Sequence, residues 1–228
     1  MNTPCILRYL EDLSENNQRE WYHAHKAEYR QASAAFEALL QALILRIGEF
    51  DPGVLHLVPK ELTFKLTRDT RFSRDKSPYN PAFRAHISGK GKLPVPVGYY
   101  LMIRPGNRSF LGGGLFADMF RDATRLVRES ISRNGESWAE IIQGPDFAEH
   151  FTVRGTALKN VPAGYDKTHP QAEYLKYKSW YLEYPIADAE LADGEAFLSK
   201  AAGIFRLMKP FNDYLNQALA GFQMPERP

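Results

Sequence analysis

The sequence has one cysteine, Cys5, so no disulfide forms within the chain and a reducing compartment is the natural setting. It carries little net charge. Lys and Arg total 29 against 27 Asp and Glu, a balance of +2, which excludes action of the whole molecule as a polycation and leaves electrostatic function to local clusters. Long apolar runs are absent too: no window approaches the roughly eighteen apolar residues that cross a bilayer, so no membrane partner is expected. The first dozen residues, Met1 to Asp12, lack the basic region and apolar stretch of a signal peptide. Together these absences point to a cytoplasmic protein. Metal-binding patterns are missing as well. His23 and His25 stand two apart and face different sides of a helix, and no His-Glu-x-x-His, cysteine pair or carboxylate cluster accompanies them. Neither a metal site nor a cofactor is expected.

What is present is an ordinary globular balance, 44% hydrophobic and 25% charged, with 12 Tyr and 14 Phe to fill a core. The first third reads as helix. Thr3-Pro4 is a cap-then-proline start, and Ile6, Leu7, Leu10 and Leu13 recur at helical spacing. A second stripe runs from Trp21 through Tyr29 to Ile47, with a break near Gln31 to Ser33 left open, and stops at Asp51-Pro52-Gly53. The middle changes period. Leu62, Phe64 and Leu66 alternate with polar residues, as do Phe83, Ala85 and Ile87, and Val97 to Ile103 is rich in β-forming residues. Ser109 to Leu111 reads as a short partner after the turn Pro105-Gly106-Asn107. The last third returns to helix, with a strand at Trp180 to Tyr184 and a closing stripe from Phe197 to Leu219 that Pro210 is expected to kink or split. The fold class is therefore α+β: a mainly antiparallel meander over about residues 61–112, packed against N- and C-terminal helices, in a single domain spanning 1–228.

The oddest stretch follows the first strand: Arg68-Asp-Thr-Arg-Phe-Ser-Arg-Asp-Lys-Ser-Pro-Tyr79. Arg68, Arg71, Arg74 and Lys76 are interleaved with Asp69 and Asp75, and a planar guanidinium suits phosphate or carboxylate. Tyr79 adds a positioning hydroxyl. On the next strand Arg84 and His86 share a face and are expected to join the same site. His86 and His169 are the candidate proton carriers, Asp166 being near enough in sequence to orient the His169 ring. For His169 a helix-capping turn is the competing reading. Gly112-Gly-Gly114 is read as a tight turn or bulge, since it matches no phosphate-binding loop.

These blocks, with Asn16-Asn-Gln-Arg-Glu-Trp-Tyr-His-Ala-His-Lys-Ala-Glu-Tyr29, Gly98-Tyr-Tyr, Leu111-Gly-Gly-Gly and Pro162-Ala-Gly-Tyr-Asp-Lys-Thr-His-Pro170, run in order through most of the chain. In them the sequence resembles a family of conserved hypothetical proteins of bacteria and some fungi, a domain of unknown function. The resemblance implies one α+β domain in the cytoplasm and supplies no activity, cofactor or catalytic residue.

Three functions compete. The first is a site, binding or catalytic, for a small phosphate- or carboxylate-bearing ligand, built on Arg68, Arg71, Arg74, Lys76, Tyr79 and Arg84. The second is a structural or interaction protein in which Arg68 and Arg71 are buried and paired with Asp69, Asp75 or Glu61. The third is nucleic-acid binding through the same basic stretch, with Lys90 and Lys92 adding phosphate contacts.

Overall fold

The computed structural model describes residues 2–225. Helix α1 (Pro4–Glu15) starts on its proline and buries Ile6, Leu7, Tyr9, Leu10 and Leu13. Two helices follow, α2 (Arg19–Ala24) and α3 (Lys26–Gly48), divided at His25 and not near Gln31. The His25 ring stacks on Trp21 at 4.1 Å, and its Nδ1 lies 2.9 Å from the Trp21 carbonyl, so the residue closes α2 with its own side chain. Helix α3 then lays Phe36, Leu39, Leu40, Leu43, Ile44 and Ile47 into the core.

The segment expected to be the first strand forms no strand. Pro59–Leu62 is a single helical turn, α4. Beyond it only isolated bridges form, Thr63 to Ala85 and Thr67 to Tyr79. Pro78 and Pro81 flank the partner segment and have no N–H to extend a ladder. The alternation is used only in part: Leu62 and Leu66 are buried, while Phe64, of the same set, stays half-exposed.

The sheet is an antiparallel meander in the order β1 (Phe83–Ile87), β2 (Gly98–Ile103), β3 (Ser109–Leu115), β4 (Trp180–Ile186). Its first three strands are consecutive, and the fourth returns some sixty-five residues later, after α5 (Arg121–Arg133), α6 (Gly135–Gln143), α7 (Pro145–His150) and α8 (Ala172–Leu175). The sheet thus begins later than the sequence pattern suggested and gains a distant edge strand. Helix α9 (Gly194–Ala218) follows β4 as the last helix among the described residues. Asp193 caps it, accepting from the backbone N–H groups of Glu195 and Ala196 at 3.0 and 3.1 Å. Pro210 does not split the helix. It removes a single intrahelical donor, and burial of Met208 and Phe211 on either side holds the helix to the core.

Strand periodicity divides the sheet into two faces. Phe83, Ala85, Tyr99, Leu101, Leu111, Trp180 and Leu182 turn inward to the helices and are buried. Arg84, His86, Tyr100, Met102, Phe110 and Glu183 lie on the outer face. The three glycines read as a tight turn or bulge lie within β3, with Gly114 at a φ of 95°. Gly113 sits under α9, where an added Cβ would stand 3.0 Å from the Met208 sulfur, so its lack of a side chain lets helix and sheet close up. A continuous apolar cluster reaches from Ile6 to Leu219. Among the described residues no helix is long and apolar enough to cross a membrane.

Candidate functional site

The 68–79 segment is a loop closed on itself. The Arg68 N–H donates to the Pro78 carbonyl at 2.9 Å and the Asn80 N–H to the Leu66 carbonyl at 2.7 Å. Asn17, between α1 and α2, pins it from outside: its side-chain N–H donates to the Tyr79 carbonyl at 2.9 Å, and its Oδ1 accepts from the Tyr79 N–H at 3.1 Å. Both members of this pairing fall in blocks that looked distinctive in the sequence, and their contact gives one reason. Tyr79 is buried, with its ring stacked on Tyr22 at 4.3 Å. It packs the loop onto α2 and also lines the polar cavity described below.

The cations of the loop do not converge. Arg71 is 77% exposed and forks onto Asp69, donating from Nε at 3.0 Å and from a terminal nitrogen at 2.7 Å. That pairing lowers the Asp69 pKa, chiefly through the Arg71 side chain. Arg74 is exposed. The Lys76 ammonium donates to the Thr70 carbonyl at 3.0 Å, within the loop itself. Arg84 lies on the outer sheet face, over the Phe64 ring at 5.5 Å and donating to the Lys65 carbonyl at 3.2 Å. The paired arginines are thus present, but Arg71 is not buried, contrary to the expectation of an internal network.

Of the four loop cations Arg68 is the one that is half-buried, and Arg84, on the sheet, also buries its Nε without a hydrogen-bond partner. Arg68 pairs with Asp75, whose carboxylate also accepts from the Ser77 N–H at 2.9 Å and the Ser77 hydroxyl at 2.6 Å. These bonds, Ser77 first and Arg68 after, hold the Asp75 pKa far below the usual carboxylate range. Beside Arg68 lies a residue that sequence reasoning missed. Arg104 follows β2 directly, and its main chain is clasped by Ser109, whose hydroxyl accepts from the Arg104 N–H at 3.0 Å and donates to its carbonyl at 3.1 Å.

Arg104 and Arg68 line a polar cavity of about 410 Å³ together with Ser14, Asn17, Asp75 and Ser77. The Arg104 Nε is buried without a hydrogen-bond partner. Burial first, then the neighbouring charges of Arg108 and Arg68, push its pKa down. A half-buried guanidinium facing like charges is held at a cost that an anion would relieve. The missed signal was the two-residue rhythm itself, since Tyr100, Met102 and Arg104 continue one face of β2.

The two histidines stand apart. His86 is buried on the outer sheet face, whereas His169 lies at the start of α6, its Cε1 2.8 Å from where a Cβ on Gly135 would sit. His169 Nδ1 accepts from the Gln171 N–H at 3.0 Å. Asp166 spends its Oδ1 on Thr168, at 2.8 Å to the N–H and 2.7 Å to the hydroxyl, and does not orient the imidazole. These bonds are local to the turn ahead of α8, whose N-cap, Gln171, makes no side-chain cap bond. Among the described residues no three His, Cys, Asp or Glu side chains gather as a metal site would require.

A family model described as a conserved hypothetical protein, DUF2461, matches residues 5–214. The chain belongs to this DUF2461 family. Its matched region contains the 68–79 loop, Arg104 and all four strands. No curated protein and no solved structure matches the chain.

Proposed function

We propose that this DUF2461 protein binds a small phosphate- or carboxylate-bearing ligand in the cavity between Arg68 and Arg104. The observation that carries this reading is the half-buried Arg104 guanidinium, whose Nε has no partner and whose charged neighbours include Arg68 and Arg108. Arg68 brings a second fork, and Ser14, Asn17 and Ser77 supply polar groups around the same space. Asp75 pairs with Arg68, and Arg104 leaves the cavity with a positive surplus. A cationic ligand finds two guanidinium groups against one carboxylate.

A thermal-shift screen at low salt, with inorganic phosphate, pyrophosphate, citrate and mononucleotides, tests the reading. A ligand at about a hundred times its Kd is expected to raise Tm by about 5–10 °C. Arg104→Gln is expected to remove that shift, and Arg71→Gln, on the exposed Asp69 pair, to keep it. No shift with any anion, or equal loss in the two variants, would overturn the proposal.

Asp75 adds a second expectation. Asp75→Asn removes the carboxylate that competes with the ligand for Arg68, so the Kd for the ligand found in that screen should fall by about three- to tenfold. Calorimetric titration measures it, and weaker binding in the variant would mean that Asp75 positions Arg68 more than it masks it.

A further inference from the structure

The outer face of the sheet carries a larger cavity, about 460 Å³, that shares no lining residue with the arginine pocket. Its floor follows from strand register. His86 pairs with Tyr100, Tyr100 with Gly112, and Gly112 with Glu183, so one line across the four strands bears three side chains and one gap. The gap lies between Tyr100 and Glu183. Phe116 leans over it, with its ring edge 2.9 Å from where a Cβ on Gly112 would sit. Aromatic rings make the walls: Tyr100 stacks on Phe110 at 5.6 Å, Phe116 stacks on Tyr181 at 4.5 Å, and Tyr100 and Phe116 are 5.4 Å apart.

The polar groups in this cavity are of a different kind from those in the arginine pocket. Glu183 accepts from Arg154 at 2.9 Å through Oε2, and its Oε1 carries no such bond among the described residues. His86 is 6% exposed. Burial keeps its ring neutral, with a pKa lowered to about 4 against a smaller upward pull from the Leu93 and Lys92 backbone. A carboxylate only accepts hydrogen bonds, so a partner at Glu183 must present donors. Flat aromatic walls favour a flat π-system over an aliphatic chain.

We infer that this cavity binds a planar heteroaromatic ring with adjacent N–H donors, of the guanine type, seated among Tyr100, Phe110 and Phe116 and donating to Glu183. Lys92 also lines this cavity, its ammonium donating to the Thr63 carbonyl at 3.4 Å, so what separates this site from the arginine pocket in the ligand it selects is its aromatic walls and the free acceptor of Glu183. The ring's faces supply contact area, and the Glu183 carboxylate distinguishes an edge with two donors from one with an acceptor. Adenine presents a ring nitrogen acceptor beside its amino group and would place a lone pair against the carboxylate.

Isothermal titration of the full chain with guanosine, which is uncharged, tests this inference, with adenosine and inorganic phosphate titrated in parallel. Saturable guanosine binding is expected, at least about tenfold tighter than adenosine. Glu183→Gln, at the rim, should erase most of that preference, and Phe116→Leu, which keeps apolar bulk without a ring, should weaken both nucleosides. No saturable binding of guanosine would overturn the inference, as would equal affinity for the two nucleosides or indifference to both substitutions. Phosphate binding without guanosine binding leaves the anion reading standing and sinks this one alone. If Phe116→Leu does not fold, Glu183→Gln decides by itself.

Discussion

Gly114→Ala is expected to destabilise the protein by about 3–5 kcal/mol, the combined cost of a left-handed backbone in a residue with a Cβ and of overpacking. Gly114 has φ of 95°, and a Cβ there would stand 2.4 Å from the Trp180 carbonyl oxygen and 2.7 Å from the Phe211 ring. Neither neighbour has room to give. Trp180 is main chain of the adjoining strand, and Phe211 is fully buried on α9. Gly112, two residues earlier, provides the control. An added methyl there stands 2.9 Å from the tip of the Phe116 ring and 3.2 Å from the Leu182 carbonyl oxygen, looser than at Gly114 and without a positive φ, so Gly112→Ala should cost about 1–2 kcal/mol. Urea denaturation of both variants measures the difference. A loss below about 1 kcal/mol for Gly114→Ala would mean that β3 and α9 do not meet as described.

Acidification is expected to strip about 3 kcal/mol of stability through His86 alone, from a pKa lowered to about 4 in the fold against about 6.5 in the unfolded chain. The sign follows from where the proton binds. Between pH 6.5 and 4 the unfolded chain takes up a proton that the buried imidazole refuses, so each step down in pH favours unfolding. Below about pH 4 the folded state accepts it as well, and the contribution levels off. Burial dominates, and the backbone of Leu93 and Lys92 only moderates it. His86→Gln removes the titration. Its urea midpoint should therefore fall less than that of the wild type between pH 7.5 and pH 4.5, while carboxylates such as Asp75 titrate alike in both proteins. Parallel curves would mean that His86 is solvated and charged in the folded protein.

Much of the fold is legible in the sequence because burial imposes a period. The stripe from Phe36 to Ile47 and that from Phe197 to Leu219 are helices with the expected faces inward. The alternation from Phe83 to Ile87 and the β-forming run from Val97 to Ile103 mark two sheet strands. Where period and local chemistry conflict, period misleads. Leu62, Phe64 and Leu66 alternate like a strand, yet Pro59 nucleates a helical turn ahead of them and prolines limit the partner segment. Gly112 to Gly114 read as a tight turn or bulge because glycine usually marks one. Here the glycines make room for Phe116 on one face of the sheet and α9 on the other, and such neighbours are distant in sequence.

The site was half legible for the same reason. A run of charges shows where cations are, not where they point. Arg71 spends its fork on Asp69 two residues away, a local pairing that short loops favour, and Arg68 is the one loop cation that is half-buried. Arg104 was invisible as a site residue because it stands alone in the sequence, and its partner in the pocket lies thirty-six positions earlier. Strand register and the Ser109 clasp bring it there, and those are properties of the fold.

The Nε–Hε spectrum of the arginine side chains, recorded during titration with the tightest anion of the thermal-shift screen, tests the anion pocket most directly. Saturable displacement of the Arg104 and Arg68 signals, with Arg71 and Arg74 unmoved, is the expected result. Uniform, non-saturating drift of all four signals, or no movement of Arg104, would contradict it.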